Sequence, residues 1–202
     1  FVYPLFKRFT YYPQVVLSSC FNWGSLLGFA AILGSFTYAV SNDDKEDEET
    51  KDLEMEELPW RSMAGLYVTT FLWCMIYDTI YAHQDKKFDI KANIKSTALK
   101  WGSKTKPVLY TMAVVQSLAL YDSFDQAGLI GKDNIISTAS MFTFNYLLFR
   151  TIYKVNLDDP KNCWYYFKRN LKYGQVITVG LLLEYGYQLF NHKVNETKRL
   201  TH

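Results

Sequence analysis

The chain contains little cysteine, and the three cysteines it has are not grouped. Cys20, Cys74 and Cys163 stand far apart among 202 residues, each in or beside an apolar segment. No pair has the spacing of metal ligands, and nothing supports a disulfide framework. We therefore expect all three to be small buried residues, which is the usual environment of free cysteine.

The sequence does not begin with methionine, and we expect no signal peptide within this stretch. It begins at Phe1 in the middle of a basic, aromatic segment, so we expect the native protein to have been processed or to extend further upstream. A length of 202 residues predicts one domain.

Charge is scarce outside a few short segments. The mean hydropathy of −0.11 is that of a soluble protein, but the average hides a segregation. Half of the twenty acidic residues lie between positions 43 and 57, which leaves the rest of the chain more apolar and basic. Aromatic residues make up 17%, and Tyr and Trp cluster near the ends of apolar runs, as in membrane interface belts.

These apolar runs predict an all-α integral membrane bundle of about five transmembrane helices, since a span needs roughly twenty residues. The predicted spans are 14–40, 60–82, 106–122, 134–153 and 170–190, and the polar segments are an acidic extramembrane loop at 41–59, a cap at 83–104 and a tail at 191–202.

The basic residues indicate an orientation. Most Lys and Arg residues fall on the side that holds the cap, and the positive-inside rule assigns that side to the cytoplasm or the mitochondrial matrix. The lysines cluster at membrane edges, as anchors to a lipid bilayer do, so nucleic-acid binding has no support.

Two carboxylates, Asp85 and Asp89, follow directly after the second predicted span and are surrounded by lysines. If the helix continues, their i,i+4 spacing puts both on one face, one turn apart. Carboxylate oxygens bind divalent metals, and a metal together with lysines binds a phosphate-rich ligand. The predicted topology also brings Lys7 and Arg8 to this side.

Two long phrases carry a family resemblance. Residues 77–102 read YDTIYAHQDKKFDIKANIKSTALKWG, and residues 3–31 read YPLFKRFTYYPQVVLSSCFNWGSLLGFAA. They resemble the second aspartate-rich motif and the fifth transmembrane segment of the UbiA superfamily of intramembrane prenyltransferases. The chain would then correspond to the C-terminal half of that fold. The resemblance implies transfer of a polyprenyl group from polyprenyl diphosphate to 4-hydroxybenzoate in ubiquinone biosynthesis, in the mitochondrial inner membrane with the cap facing the matrix.

The resemblance also implies roles for individual residues. Asp85 and Asp89 would bind Mg²⁺, while Arg8 and Lys95 would be catalytic and also bind substrate. Lys91 would bind substrate as well. For Asn22, which belongs to the phrase FNWG, an interhelical hydrogen bond and a place in the substrate pocket are equally supported.

Some positions depart from the family pattern. The family usually has another acid where this chain has Phe88, and often glycine where it has Asn93. Its first motif, NDxxDxxxD, is absent, because Asn42 and Asp43 imitate only its start and Glu46 replaces the needed aspartate. We therefore expect this stretch alone to be an incomplete enzyme.

A second interpretation belongs to another class of protein. The chain would be a non-catalytic relative, retained as an integral-membrane subunit of a mitochondrial inner-membrane complex. The segment DKKFD favours the enzyme, whereas the missing N-terminal half, Phe88 and Asn93 favour the subunit. Of the other polar residues, His83 is expected to be structural or interfacial rather than a proton carrier, and Glu184 to reach water near the end of the fifth span. The resemblance allows Asp78 and Tyr81 to line the pocket, without an assigned role.

Overall fold

The computed structural model describes residues 3–31 and 60–200, and within them every regular element is a helix. The predicted all-α fold is thereby confirmed for these residues. The helices are α1 Tyr3–Phe9, α2 Pro13–Phe21, α3 Trp60–Lys91, α4 Thr97–Trp101, α5 Thr105–Gln126, α6 Ile135–Lys154 and α7 Pro160–Leu200, with a 3-10 turn at Gly102–Lys104. The chain is also helical at 23–31.

Helix α3 is the centre of the packing. It contacts α5, α7 and α2, and α6 fills the space between α5 and α7. Its buried residues Ile76 and Ile80 are one turn apart and join a core that includes Leu109, Phe144 and Leu148. This spacing aligns apolar side chains along one face, which is why the segment packs as a helix.

The contact between α3 and α5 uses small residues to bring the backbones close. The Ser62 hydroxyl donates to the Ser123 carbonyl oxygen at 2.9 Å, and the Ser123 hydroxyl donates to the Ser62 carbonyl oxygen at 2.8 Å. A Cβ on Gly65 would lie 3.0 Å from the Ala119 carbonyl oxygen. Small residues at such contacts are typical of helix pairs in membranes.

One helix of the described residues, α3, is long and apolar enough by length and composition to cross a membrane. Its apolar part corresponds to the predicted span 60–82, and the polar residues from His83 to Lys91 extend beyond it. A multi-pass topology stays a prediction.

The boundaries of other predicted spans need correction. The first was predicted as continuous over 14–40, but α2 ends at Phe21 and a turn at Asn22 precedes the helical residues 23–31. Residues 32–40, and with them the acidic loop 41–59, lie outside the described residues. The fifth span was predicted at 170–190, whereas α7 begins at Pro160 and continues through the predicted tail to Leu200.

Two predictions about single residues are wrong. Cys20 is exposed, whereas Cys74 and Cys163 are buried as predicted. Glu184 is only 3% exposed and does not reach water. Its Oε2 accepts hydrogen bonds from the backbone N–H groups of Ile136 at 2.9 Å and Ser137 at 3.1 Å. Glu184 therefore caps the N-terminus of α6, where a helix has unpaired N–H groups and a partial positive charge.

Candidate active site

The candidate site lies at the C-terminal end of α3. The helix continues to Lys91, so Asp85 and Asp89 lie on one helix, one turn apart, as predicted. His83, which precedes them, is buried, and its Nε2 lies 3.1 Å from the Thr105 hydroxyl oxygen. This contact joins the end of α3 to the start of α5, and the role of His83 stays a prediction.

The end of α3 explains one departure from the family pattern. Asn93 has a φ of +52°, and the Ile94 N–H donates to the Asp89 carbonyl oxygen at 2.9 Å. Glycine is the residue that adopts a positive φ most easily, and asparagine is among the few others that tolerate it. Asn93 can therefore end the helix where the family often has glycine.

The two carboxylates differ in environment. Asp89 is 6% exposed, whereas Asp85 is partly exposed. Burial raises the pKa of the Asp89 carboxyl, the neighbouring Ser96 side chain and the Lys7 ammonium oppose that rise, and the charge of Asp85 adds to it. A bound cation would favour the ionised form of Asp89, since a nearby opposite charge stabilises a carboxylate.

Lys7 is a basic residue of α1 whose charge acts on Asp89. Its backbone carbonyl oxygen accepts a hydrogen bond of 2.8 Å from the Lys95 N–H, which holds α1 against the loop after Asp89. The charge of Lys7 acts on Asp89 and on Asp78, a buried acid on the same helix. Arg8, which the sequence favoured, is exposed. Lys7 stands beside it in the same phrase, and only the helix orientation distinguishes the two.

Lys95 joins the loop to α1 through its side chain as well. Its Nζ donates to the Phe9 carbonyl oxygen at 3.3 Å and lies 5.4 Å from the centre of the Tyr11 ring. Lys100 lies 5.5 Å from the same ring. A cation at the C-terminus of a helix and over an aromatic face stabilises both elements.

The other predicted substrate residues are Lys91 and Asn22. Lys91 is exposed at the last position of α3. Asn22 is buried directly after the C-terminal end of α2. Its Nδ2 donates to the Ser18 carbonyl oxygen at 2.7 Å. Ser18 lies on α2, directly before Asn22, so this hydrogen bond of Nδ2 is local and is not the expected bond between two helices. A role for Asn22 in a substrate pocket stays a prediction.

The two carboxylates fit a metal that is shared with a ligand. Mg²⁺ in proteins is commonly held through one or two carboxylates, with substrate phosphates and water completing its shell. Among residues 5–31 and 60–194, no group of three or more His, Cys, Asp or Glu side chains is arranged to hold a metal by itself. The donor set of Asp85 and Asp89 therefore suits Mg²⁺ bound together with a phosphate-bearing ligand.

The structure is a helical fold in which one long helix is apolar enough to cross a membrane and carries an aspartate pair near its C-terminal end. The chain belongs to the UbiA prenyltransferase family, which it matches over residues 1–173.

Three relatives are named 4-hydroxybenzoate polyprenyltransferase, mitochondrial. The chain is 47% identical to that of Saccharomyces cerevisiae over 94% of its own length and 44% of the relative. It is 40% identical to that of Schizosaccharomyces pombe over 91% of its length and 45% of the relative. It is 34% identical to the human protein over 98% of its length and 46% of the relative.

The chain thus spans less than half the length of these relatives. No solved structure matches it.

Proposed function

We propose that this chain is part of an enzyme that transfers a polyprenyl group from polyprenyl diphosphate to 4-hydroxybenzoate, in the biosynthesis of ubiquinone. The proposal rests chiefly on the position of Asp85 and Asp89, which share one face of α3 in a chain 47% identical to a relative of that name. The acceptor and the donor are the substrates that this name implies.

In this proposal Asp85 and Asp89 bind Mg²⁺ through their carboxylate oxygens. When bound, the ion neutralises the diphosphate and makes it a better leaving group. Lys7 supplies a positive charge beside Asp89, where it compensates the two acids and contributes to binding the anionic donor. Lys95 holds α1 in place, and the exposed side chains of Arg8 and Lys91 would contact phosphate or the acceptor carboxylate.

The reaction needs a dry environment. Loss of diphosphate leaves an allylic cation, which the electron-rich acceptor ring attacks to form a carbon–carbon bond. Water would compete for the cation, and burial of the reacting groups between helices excludes it. The same proposal puts the protein in the mitochondrial inner membrane as a multi-pass protein, with the cap on the matrix side, where its lysines meet anionic lipid.

The test is Asp85→Asn in the longest native chain, assayed in membranes for Mg²⁺-dependent prenylation of 4-hydroxybenzoate. We expect a loss of at least a hundredfold in rate with normal membrane insertion, because one metal ligand is removed. Asp125→Asn is the matched control, since Asp125 is an exposed acid at the opposite end of the bundle on α5, and it should retain full activity.

Other outcomes distinguish the second interpretation. If Asp85→Asn leaves prenylation unchanged, the metal assignment is wrong. If the wild-type native chain has no transferase activity but its deletion dissociates an inner-membrane complex, the chain is an accessory subunit rather than an enzyme.

A further inference from the structure

The loop between α3 and α4 is attached to its surroundings on both sides of one serine, Ser96. On one side, the Lys95 N–H donates to the Lys7 carbonyl oxygen of α1 at 2.8 Å. On the other side, the hydroxyl oxygens of Thr97 and of Thr79 on α3 lie 3.0 Å apart, and both side chains are fully buried. Ser96 is therefore held in place between two contacts to different helices.

Ser96 stands at the N-cap position of α4, but its side chain does not cap the helix. Its backbone is extended, with φ −150° and ψ 161°. Its carbonyl oxygen accepts hydrogen bonds from the Leu99 and Lys100 N–H groups at 3.2 and 3.1 Å, which begins the helix. A serine at this position usually also accepts a hydrogen bond through its hydroxyl from the first turn. The Ser96 hydroxyl makes no such bond, so it is available to another group.

The group beside this hydroxyl is the carboxylate of Asp89. The Ser96 side chain lies next to it and counteracts the rise in the Asp89 pKa that burial causes. Both side chains are buried, with Ser96 1% and Asp89 6% exposed. Among residues 5–31 and 60–194, the Ser96 hydroxyl oxygen has no hydrogen-bond partner, which is unfavourable for a buried hydroxyl. A donor is thus stored next to a candidate metal ligand.

Resting on the proposed function, we propose that Ser96 is a positioning residue, whose hydroxyl donates to the Asp89 carboxylate and fixes the direction in which that carboxylate meets Mg²⁺. Lys7 and Asp85 also act on Asp89, but they act through their charges, which do not fix an orientation. A hydrogen bond does fix one. Groups that orient a metal ligand in this way typically cost ten- to a hundredfold in metal affinity when they are removed.

The test is Ser96→Ala in the full-length native protein, with geranyl thiodiphosphate, an unreactive analogue of the donor, as the probe. Binding of the probe is titrated with Mn²⁺, and the half-saturating Mn²⁺ concentration should rise about ten- to hundredfold. Prenyl transfer at saturating Mg²⁺ should stay close to wild type, because Ser96 does not touch the reacting atoms.

Two further variants control for the loss of a side chain. Ser96→Thr keeps the hydroxyl, and a β-branched residue suits the extended backbone, so it should restore most of the metal affinity. Ser103→Ala removes an exposed serine from the 3-10 turn of the same segment and should leave the Mn²⁺ titration unchanged.

Amide exchange and a double-mutant cycle separate positioning from a general loosening of the loop. Exchange in α4 should not change in Ser96→Ala, because the hydroxyl does not cap that helix. In an Asp89→Asn background, Ser96→Ala should add little to the metal requirement, since the carboxylate that it positions is gone.

Three results would overturn the role of Ser96 while the transferase assignment stands: an unchanged Mn²⁺ titration in Ser96→Ala, faster exchange throughout α4, or an effect that adds fully to that of Asp89→Asn. The proposed function itself fails on different grounds. It fails if the wild-type native chain transfers no prenyl group and neither Asp85→Asn nor Asp89→Asn alters the Mn²⁺ titration.

Discussion

The ammonium of Lys95 donates a hydrogen bond to the carbonyl oxygen of Phe9, the last residue of α1, at 3.3 Å. These two residues are far apart in the sequence, and their contact holds α1 next to the loop that follows Asp89. The backbone N–H of Lys95 also donates a hydrogen bond to the backbone carbonyl oxygen of Lys7 at 2.8 Å. The position of Lys7 beside the acids therefore depends on Lys95.

We predict that Lys95→Ala makes local opening of α1 more frequent. Loss of the side-chain hydrogen bond, which is worth about 1 kcal/mol, should speed amide exchange in α1 about fivefold, because local opening becomes easier by that amount. Lys95→Arg keeps a donor and a charge and should restore most of the protection. Lys91→Ala removes an exposed lysine of the same loop region and serves as the control. Equal exchange in all variants would show that α1 does not need this contact.

A second prediction concerns Cys163, whose Sγ lies 3.4 Å from the Asn156 carbonyl oxygen and is fully buried. Burial, together with the nearby charges of Asp159 and Asp158, raises the pKa of the Cys163 thiol to about 11. At pH 8 the thiolate fraction is then of the order of 0.001. A variant that retains only Cys163 should react slowly with iodoacetamide at pH 8 and faster as pH rises towards 11.

The controls for Cys163 are a variant that retains only the exposed Cys20, and the Cys163 variant in SDS, both of which should react rapidly at pH 8. The folded state holds the Cys163 proton more tightly than the unfolded state. The free energy of unfolding should therefore be constant below the ordinary thiol pKa and fall as pH rises from there towards 11. Rapid labelling of folded Cys163 at pH 8 would contradict its burial.

The sequence predicted helices and the shared face of Asp85 and Asp89 well, because both depend on local periodicity. It failed where a polar group finds its partner in a distant segment. Glu184 looked like a residue near water, since nothing in its own neighbourhood shows that it caps α6. Lys7 and Arg8 are adjacent and equally basic, so only the orientation of α1 separates them. A hydropathy profile also does not reveal the break in the helix at Asn22, because the residues on both sides of it are apolar.

A third prediction tests the cap formed by Glu184. Glu184→Ala should lower the free energy of unfolding by about 2 kcal/mol, because two backbone N–H groups at the start of α6 lose their acceptor. Glu184→Gln keeps an oxygen acceptor but loses the charge that favours a helix N-terminus, so its loss should be smaller. Denaturation in mixed micelles measures both. If the alanine variant is as stable as wild type, the cap contributes nothing to stability.

The last prediction compares two glycines on α7. Gly180 faces Ser140 of α6 so closely that a Cβ would overlap the serine side chain, whereas nothing lies within 4 Å of a Cβ at Gly186. Gly180→Ala should cost about 1–3 kcal/mol by forcing the helices apart. Gly186→Ala should be neutral or stabilise by up to about 1 kcal/mol, since alanine is the better helix former.

A double variant, measured in the same denaturation assay, tests whether Gly180 and Ser140 are in contact. If the cost of Gly180→Ala arises from overlap with Ser140, adding Ser140→Gly should return most of the lost free energy, because the space then moves from one helix to the other. Two residues in direct contact are expected to be non-additive in this way, whereas distant sites add. Additive effects of the two substitutions would mean that the two helices are not this close, and the packing of α6 on α7 would need revision.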